Sequence, residues 1–534
     1  MADHLDKLLA QIDELQSDRR TWEAHWQDIA TLVLPQRDFT TRQTAGAKRT
    51  TKIYDATAVW ANGQLAAGLH SFLTNPVVKW FSLRLRNADL DQRDDVRAWM
   101  LDSRDRMFRV FSSVTGDFQS QAHELYLDIS AFGTSCMFTA EQRRNIRFRT
   151  HPLNECYIRE DQFGRVDTLV REWTWTLRQV VQKFGTDSLP DDLKDKADTK
   201  PSTSVQVIHI VAPRGDHLVA DFEKGSKKWV SIYLTRKPKG ILSISGFNTF
   251  PYVVPRWTKM AGEVYGRSQA MTVLPDIRML QEMNRTVLRS AQKQVDPPIM
   301  MPDEGFLGPL RLASGGVNFF RASSGARIEV IKTEGRIDIG IELIKQRQDN
   351  IIRAFFVDLL LLREGPQMTA TEVLARREEK LRLMSPMISR AQNEFLGPLI
   401  RRVYKLMASA GMLLPPPPDI AGQNIDVDYV SAAALSQQTS EVDNIQRWFN
   451  AIIPFIELDP RGGQNVSVDD IIRTTARLYN IEPVLLRSID AVAEQREQDA
   501  EQAQAAQQLE QGQGIAEGAA KTAKAIRDLS QATA

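Results

Sequence analysis

Apolar positions near the start of the chain follow one another at steps of three or four. Between residues 5 and 33 the series is interrupted only at Arg19. This spacing places apolar side chains on one face of a helix. It predicts a long amphipathic helix that ends at Pro35, because proline has no amide hydrogen to continue the helix. Comparable patterns predict helices over residues 56–72, 92–112 and 117–132.

From about Phe138 the period changes to two. Apolar and polar residues alternate from 146 to 174 on both sides of a turn at residues 161–164, which predicts a β-hairpin. A short helix over 177–184 with Gly185 as its end, and then a polar linker, are predicted to follow. Further strands are predicted near 205–212, 228–235 and 250–257. The first half of the chain is therefore predicted to be α+β.

The second half is predicted to be mainly α-helical. One helix covers residues 267–293, and a second, over 337–362, carries an apolar stripe. The stripe consists of Ile341, Ile344, Ile351, Phe355, Leu359 and Leu362. Between the two helices, Pro297-Pro298 and a glycine-rich stretch predict a small strand-containing segment.

A further long helix is predicted to start at Thr369, where Thr369 and Glu372 have the spacing of a capping box. Pro386 and Pro398 predict kinks in it, and the prolines at 415–418 predict its end. The chain from residue 431 is again predicted to be helical. From residue 491 it is rich in Ala, Gln and Glu and has too few large apolar side chains for a core, so this part is solvated, disordered or ordered only by assembly with copies of itself.

Composition excludes several classes of protein. The chain has 68 Lys and Arg against 67 Asp and Glu, a net charge of +1, which argues against a protein that coats nucleic acid by bulk charge. Two cysteines, and histidines only up to His217, argue against a disulfide scaffold or a zinc cluster and fit synthesis in a reducing cytoplasm. We expect no metal and no cofactor. The chain has no apolar run of membrane-spanning length, so we also expect no membrane span.

No motif of catalysis is present in the sequence. There is no Gly-Lys dipeptide of a phosphate loop, no Gly-x-Ser-x-Gly and no His-Glu-x-x-His. The carboxylate pairs at 94–95, 191–192 and 469–470 are predicted to lie in polar loops or near helix starts, where helix capping and the helix dipole explain them better than acid/base catalysis does. Trp22, Trp26, Trp173 and Trp175 are expected in core packing or subunit contacts rather than in base stacking. We therefore expect no enzyme activity.

Two charged features are candidates for function. On the 267–293 helix, Arg278, Glu282, Arg285, Arg289 and Lys293 are spaced so that they share one face. This face is either solvated, with Glu282 paired to Arg289 or Arg278, or directed toward a polyanion or a neighbouring subunit. The second feature is the break at residues 361–368, which holds Arg363, Glu364 and Gln367 between two long helices.

Several blocks of the sequence together resemble the portal, or head-to-tail connecting, proteins of short-tailed bacteriophages. They are VYGRSQAMTVLPDIRMLQEMNR (264–285), VDPP (295–298), MTATEVLARREEK (368–380), EFLGPL (394–399) and AGMLLPP (410–416). Their order, and the helix, strand-containing segment, helix, loop, long helix arrangement around them, are similar too. The resemblance covers most of residues 1–430.

The resemblance implies a fold of wing, stem, clip and crown that assembles as a ring of twelve subunits. It assigns residues 1–265 to the wing, 266–293 and 337–360 to the stem, and 294–336 to the clip. It further assigns 361–368 to a loop that narrows the channel, 369–430 to a long kinked helix that joins the wing, and 431–534 to the crown. The DNA-channel candidates are then Arg363, Glu364, Gln367, Arg278, Arg285, Arg289 and Lys293.

The function implied by the resemblance is a channel for double-stranded DNA at one vertex of the capsid, used in genome packaging and ejection. Implied partners are the large terminase subunit, major capsid and scaffolding proteins, and tail adaptor and internal ejection proteins. The protein is then a virion component made in the host cytoplasm. Two alternatives stay open at this point: a tail adaptor or scaffold that does not contact DNA, and a phage nuclease or motor subunit.

Overall fold

The computed structural model describes residues 2–40, 44, 46–91, 93–142, 145–222, 225–295, 299–300, 329–330, 337–360, 384–420, 422–423, 425–429, 442, 444–454, 466–478, 486–487, 491–502 and 522. The chain divides into two compact units. The first contains residues 1–82, 104–413 and 429–431, and the second contains 83–103, 414–428 and 432–534.

Helices and antiparallel strands alternate along the described chain, as expected for an α+β protein. The helices are α1 (Ala2–Leu32), α2 (Thr57–Leu73), α3 (Ala88–Asp91), α4 (Asp94–Phe111), α5 (Phe118–Phe132), α6 (Leu177–Phe184), α7 (Asp191–Thr199), α8 (Gln269–Val295), α9 (Ile337–Ala354), α10 (Val357–Leu360), α11 (Gly397–Ser409) and α12 (Val468–Leu478). The strands are β1 (Phe81–Leu85), β2 (Cys136–Gln142), β3 (Asn145–His151), β4 (Cys156–Glu160), β5 (Val166–Thr176), β6 (Ser204–Pro213), β7 (Trp229–Thr235), β8 (Gly240–Phe247), β9 (Tyr252–Val253), β10 (Ile299–Met300), β11 (Glu329–Val330) and β12 (Ile425–Tyr429).

In the first unit, α1 covers one face of a five-stranded sheet in the order β4-β5-β6-β7-β8. Leu5, Leu8 and Ile12 of α1 pack there on buried side chains of β6 and β7. The interruption of the apolar stripe at Arg19 has a structural reason. Its guanidinium is buried and donates to the carbonyl oxygens of Leu153 and Cys156 at 2.8 and 2.6 Å. The first predicted helix is therefore confirmed.

The predicted hairpin is confirmed as β4 and β5, which pair antiparallel across the turn at 161–164. The residues at 146–148 belong instead to β3, in a second sheet of order β3-β2-β9. Two further predictions were incomplete. The polar linker contains α7, and the sheet has an extra strand, β8, while only Tyr252–Val253 of the strand expected at 250–257 forms a ladder.

A buried histidine lies between the two sheets. Nδ1 of His209 is 2.7 Å from the hydroxyl of Tyr252, and Nε2 is 3.0 Å from that of Ser231. Burial, together with the charges of Lys183 and Arg171, lowers the pKa of His209 well below its ordinary value. The ring is therefore held neutral in the folded chain.

The predicted long helix after residue 369 is irregular where it is described. It is helical over 384–391, passes through a π-helical turn at Gln392–Leu396 and continues as α11. Pro398 is the second residue after that turn and has no amide hydrogen to donate to the carbonyl of Glu394, four residues earlier, which favours the wider turn. The irregularity expected near Pro398 is thus present, and the region 369–383 lies outside the described residues.

In the second unit, α4 begins at Asp94 and β1 pairs with β12. Arg86 forms an ion pair with Asp426 at 2.9 Å, and Arg93 forms one with Asp419 at 2.6 Å. The carboxylate pairs at 94–95, 191–192 and 469–470 all occupy first turns of helices, as predicted. None of the helices in the described part of the chain combines the length and apolarity that crossing a membrane requires.

Candidate functional site: the α8–α9 helix pair

Helices α8 and α9 pack side by side and run antiparallel. Arg347 of α9 forms an ion pair with Asp276 of α8 at 2.9 Å, and Gly340 lies against Val287. A Cβ at Gly340 would come within 2.8 Å of Val287 Cγ2, so a side chain at position 340 would collide with α8 unless Val287 shifted. The two helices predicted to flank the strand-containing segment therefore form one hairpin-like pair.

The start of α8 is fixed to the rest of the first unit by hydrogen bonds. The hydroxyl of Ser268 accepts from the amide of Met271 at 3.1 Å and donates to the carbonyl of Ala131 at 2.6 Å. Just before it, Gly266 packs back to back with Gly133, whose φ is +76°. A Cβ at Gly133 would lie 2.4 Å from the carbonyl oxygen of Gly266, so no side chain fits there.

A buried arginine just before α8 joins several segments. Arg256 is 2% exposed, and its guanidinium and backbone amide donate to the carboxylate of Glu394 at 2.9–3.0 Å. It also donates to Glu160 and to the carbonyl of Gly164. Burial by itself lowers the pKa of Arg256, but Glu394 and Glu160 outweigh it and the pKa is raised. This group, the Arg256 cluster, ties the π-helical turn to the β4–β5 hairpin.

A second polar group connects α8 and α9 to the start of α2. Gln281 of α8 accepts from the backbone amides of Tyr54 and Asp55 at 2.6 and 2.9 Å. The carboxylate of Asp55 accepts from the amide of Thr57 at 2.8 Å and from the side chain of Gln348 at 2.7 Å. This Asp55 cluster therefore fixes the position of both helices relative to α2.

The four predicted channel residues of α8 lie on its outer surface. Arg278 forms an ion pair with Asp28 of α1, and Arg285 is 3.4 Å from Glu282. Arg289 and Lys293 are exposed and make no ion pair with any residue that the structure describes. The predicted pairing of Glu282 with Arg289 or Arg278 was wrong, because Glu282 pairs with Arg285 and Arg278 pairs with Asp28 of α1.

The apolar stripe predicted for α9 is only partly buried. Ile344, Ile351 and Phe355 are buried, whereas Ile341 is 57% exposed in the single chain. The helix also ends earlier than the predicted residue 362. It stops at Ala354, and Phe356, with φ of 57°, separates it from α10. The cause of the exposure is geometric, because α9 has a packing partner on the α8 side but the described chain covers little of its other sides.

The other predicted candidates cannot be placed. Arg363, Glu364 and Gln367 lie outside the described residues, as does most of the segment 294–336. Within that segment, β10 and β11 pair antiparallel, in agreement with the predicted strand content. Among the described residues, no group of three or more His, Cys, Asp or Glu side chains is arranged to hold a metal ion.

The sequence interpretation missed both polar clusters. Gln281 shares the α8 face of the buried Leu274 and Ile277, and a polar residue on an apolar face was the available signal. Arg256 and Glu394 are far apart in the chain, and no local pattern connects them.

Comparison with known proteins identifies the family of the chain. Residues 5–486 match the family described as bacteriophage head to tail connecting protein. The chain is 31% identical to the probable portal protein of Bordetella phage BPP-1, over 98% of each chain. It is 28% identical to the portal protein of Salmonella phage epsilon15, over 96% of this chain and 94% of the relative. It is 19% identical to the portal protein of Enterobacteria phage T3, over 84% of this chain and 82% of the relative. The chain belongs to the bacteriophage head-to-tail connecting protein family, and it is a portal protein homologue over nearly its full length.

Proposed function

We propose that the chain assembles as a ring, with twelve copies as in the resemblance above, and forms the passage for double-stranded DNA at one capsid vertex. The observation that carries the proposal is the family match over residues 5–486, which includes the α8–α9 pair and the π-helical turn. Portal relatives match over 98% and 96% of the chain. A passage role needs no catalytic group, and we propose no enzyme activity and no cofactor.

The α8–α9 pair supports the assignment of a stem. It is a rigid two-helix element whose position is fixed by the Asp55 cluster at one side and by Ser268 at its start. Its outer surface carries exposed charges and apolar side chains, which is what a helix needs to contact other copies. Residues 294–336, between the two helices, are the proposed clip.

The proposed lining of the channel comes first from the loop at residues 361–368. Arg363, Glu364 and Gln367 would form rings of alternating charge if they face the lumen, and a weak, balanced field lets DNA pass without stalling. Arg278, Arg285, Arg289 and Lys293 are the second set of candidates. Since two of these four already pair within the chain, their assignment to the lumen is weaker than that of the loop.

The proposed partners follow from a position between head and tail. They are the large terminase subunit during packaging, major capsid and scaffolding proteins during assembly, and tail adaptor and internal ejection proteins afterwards. The proposed location is the portal vertex of the virion, after synthesis in the host cytoplasm. The Bordetella and Salmonella phage relatives are named as portal proteins, in agreement with this position.

Electron microscopy of the purified chain tests the ring directly. We expect closed particles with a central hole and a uniform copy number. In a packaging assay with the matching terminase, Arg363→Ala with Glu364→Ala should change the rate or the amount of DNA retained while leaving ring formation intact. Monomeric particles at all protein concentrations would refute the proposal. Normal packaging with altered tail attachment would favour the tail adaptor instead.

A further inference from the structure

Three basic side chains converge where β3, β5 and α6 approach one another in the first unit. Arg171 of β5 is 7% exposed, and its Nη1 lies 3.2 Å from Nε2 of His151 at the end of β3. Arg149 comes two residues before His151, so both side chains are on the same side of β3. Lys183 of α6 is close enough to both arginines for their charges to act on it. We call Arg149, Arg171 and Lys183 the basic triad.

The positive charge of the basic triad is only partly neutralised. Arg171 donates to one carboxylate oxygen of Glu155 through Nε and Nη2, at 2.9 and 2.8 Å. Arg149 is exposed, and neither it nor Lys183 makes a hydrogen bond or an ion pair with any residue that the structure describes. Three positive side chains and one carboxylate leave a net charge of +2.

Aromatic rings form the inner wall beside these charges. Nζ of Lys183 is 3.8 Å from the centre of the Tyr233 ring, which stacks on His209 at 3.9 Å. The guanidinium of Arg171 is 4.1 Å from the centre of the Trp173 ring. A ring face attracts a cation but does not replace a hydrogen-bond acceptor, so the N–H groups of Lys183 stay available. The rings also keep water away, which strengthens the interaction of a charge bound here.

The ionisation of Lys183 reflects the same lack of counter-charge. Loss of water around the ammonium, and then the positive charges of Arg171 and Arg149, lower its pKa to about 8. Among the described residues no carboxylate acts in the opposite direction. An anion bound between the three side chains would remove this repulsion, because an opposite charge favours the protonated form of lysine.

We propose that the basic triad binds a doubly charged oxyanion, with the chemistry of a phosphate group that is not part of a nucleic acid backbone. Side chains from three elements can donate to different oxygens of one tetrahedral anion, and guanidinium groups match phosphate oxygens well. A dianion neutralises the net charge of the triad and Glu155, whereas a single carboxylate neutralises half of it. The inference does not use the ring, so the proposed function and this site can fail separately.

The position of Arg171 favours a small anion over the backbone of DNA. Phosphates of a duplex are contacted by side chains that project from a protein surface, but Arg171 is 7% exposed. Each phosphodiester also carries one negative charge, which is less than the net charge of the site. A free phosphate or a phosphomonoester fits both observations.

Equilibrium dialysis of the full chain with labelled sulfate tests the site. Sulfate is the probe because it stays a dianion at neutral and mildly alkaline pH, where phosphate changes its charge; unlabelled phosphate is the competitor. The variants are Arg149→Gln, Lys183→Gln and the two together. The matched control is Lys7→Gln with Arg20→Gln, which removes one lysine and one arginine that are exposed on α1. Circular dichroism and melting curves check that each variant is folded.

We expect the wild-type chain to bind one sulfate per copy with saturation, and phosphate to displace it. Removing both charges should raise Kd at least about tenfold, because hydrogen bonds to charged groups are strong. The control should bind like the wild-type chain. Arg149→Gln alone decides the matter if the double variant is unstable, since Arg149 has no partner among the described residues whose loss could unfold the chain.

The pH dependence separates a binding role of Lys183 from a role in packing on Tyr233. Since its pKa is about 8, Lys183 is charged below pH 8 and loses its charge above it. Burial raises the pKa of Tyr233 and lowers that of His151, so both stay neutral from pH 7 to 9, and arginine keeps its charge there. Kd for sulfate should therefore rise by up to about tenfold from pH 8 to 9. In Lys183→Arg, Kd should stay constant over this range.

Three results would overturn the inference. Without saturable binding of sulfate or phosphate to the wild-type chain, the triad is no anion site. If the control loses binding as much as the double variant, or if Kd does not depend on pH, attraction is general and Lys183 only packs on Tyr233. If a DNA duplex binds through Arg149 and Lys183 while sulfate and phosphate do not, the triad belongs to a nucleic-acid surface. None of these results decides whether the chain forms a ring.

Discussion

Replacing Glu394 by Gln tests whether the Arg256 cluster holds the first unit together. The substitution keeps the size of the side chain but removes the charge that partners Arg256, which is 2% exposed. It also turns one hydrogen-bond acceptor into a donor that faces the donors of Arg256 and Arg390. Breaking a buried ion pair costs about 3–5 kcal/mol. Since Glu160 still pairs with Arg256, we expect about 3 kcal/mol.

The assay is a melting curve at fixed protein concentration and pH, with unfolding followed by circular dichroism. At about 2 °C per kcal/mol for a large unit, Tm should fall by about 6 °C. Glu263→Gln is the matched control, because its partner Arg267 is 43% exposed and a surface pair contributes below about 1 kcal/mol. The control should therefore shift Tm by less than about 2 °C. Equal shifts for the two variants would refute the argument that burial decides the strength of this pair.

Three further predictions concern other positions of the first unit. Gly133→Ala should lower Tm strongly, because the new Cβ would meet the backbone of Gly266. The control is Gly185→Ala, also at positive φ but with nothing within 4 Å of the new Cβ, which should cost only about 1 kcal/mol. Equal melting curves for the two variants would contradict the steric argument. The pKa of His209 is lowered in the folded chain, whereas in the unfolded chain it is about 6.5. Below pH 6.5 the unfolded chain therefore binds a proton that the folded chain does not. The contribution of His209 to stability is constant above pH 6.5 and falls by about 1.4 kcal/mol per pH unit below it. Melting curves from pH 7.5 to 5 should show a shallower slope for His209→Gln, and an unchanged slope would refute the assignment. The side chain of Gln281 accepts hydrogen bonds from the amides of Tyr54 and Asp55. Gln281→Ala should therefore increase hydrogen exchange at these two amides by at least about tenfold. Unchanged exchange would show that the Asp55 cluster is dispensable.

Local patterns predicted the elements well where a segment has one apolar face. The helix over 5–33, the β4–β5 hairpin and the helix ended by Gly185 all appear with nearly the predicted bounds. Predictions were incomplete where a segment is short or mostly polar, as in α7 and β8. In these segments the helix dipole and pairing with a neighbouring strand, rather than an apolar pattern, stabilise the element.

The candidate site was predicted in outline but not in its connections. The charged stripe from Arg278 to Lys293 was visible because helical spacing repeats along the chain. The partners of this stripe were not predicted, because the pair of Arg278 with Asp28 appears only when α1 and α8 are placed side by side. The exposure of Ile341 has the same origin, since its spacing fits the stripe but the described residues leave it 57% exposed.

The sequence by itself determined the order of helices and strands, the absence of catalytic motifs and the family of the protein, because each is encoded in patterns and blocks of neighbouring residues. Only the tertiary structure decided which charges are paired within the chain and which stay exposed. Arg256 and Arg289 look equivalent in the sequence, yet the first is buried with Glu394 and the second is exposed without an ion-pair partner among the described residues. The physical reason is that desolvation and pairing depend on distances between segments that are far apart in the chain, and local spacing carries no information about those distances.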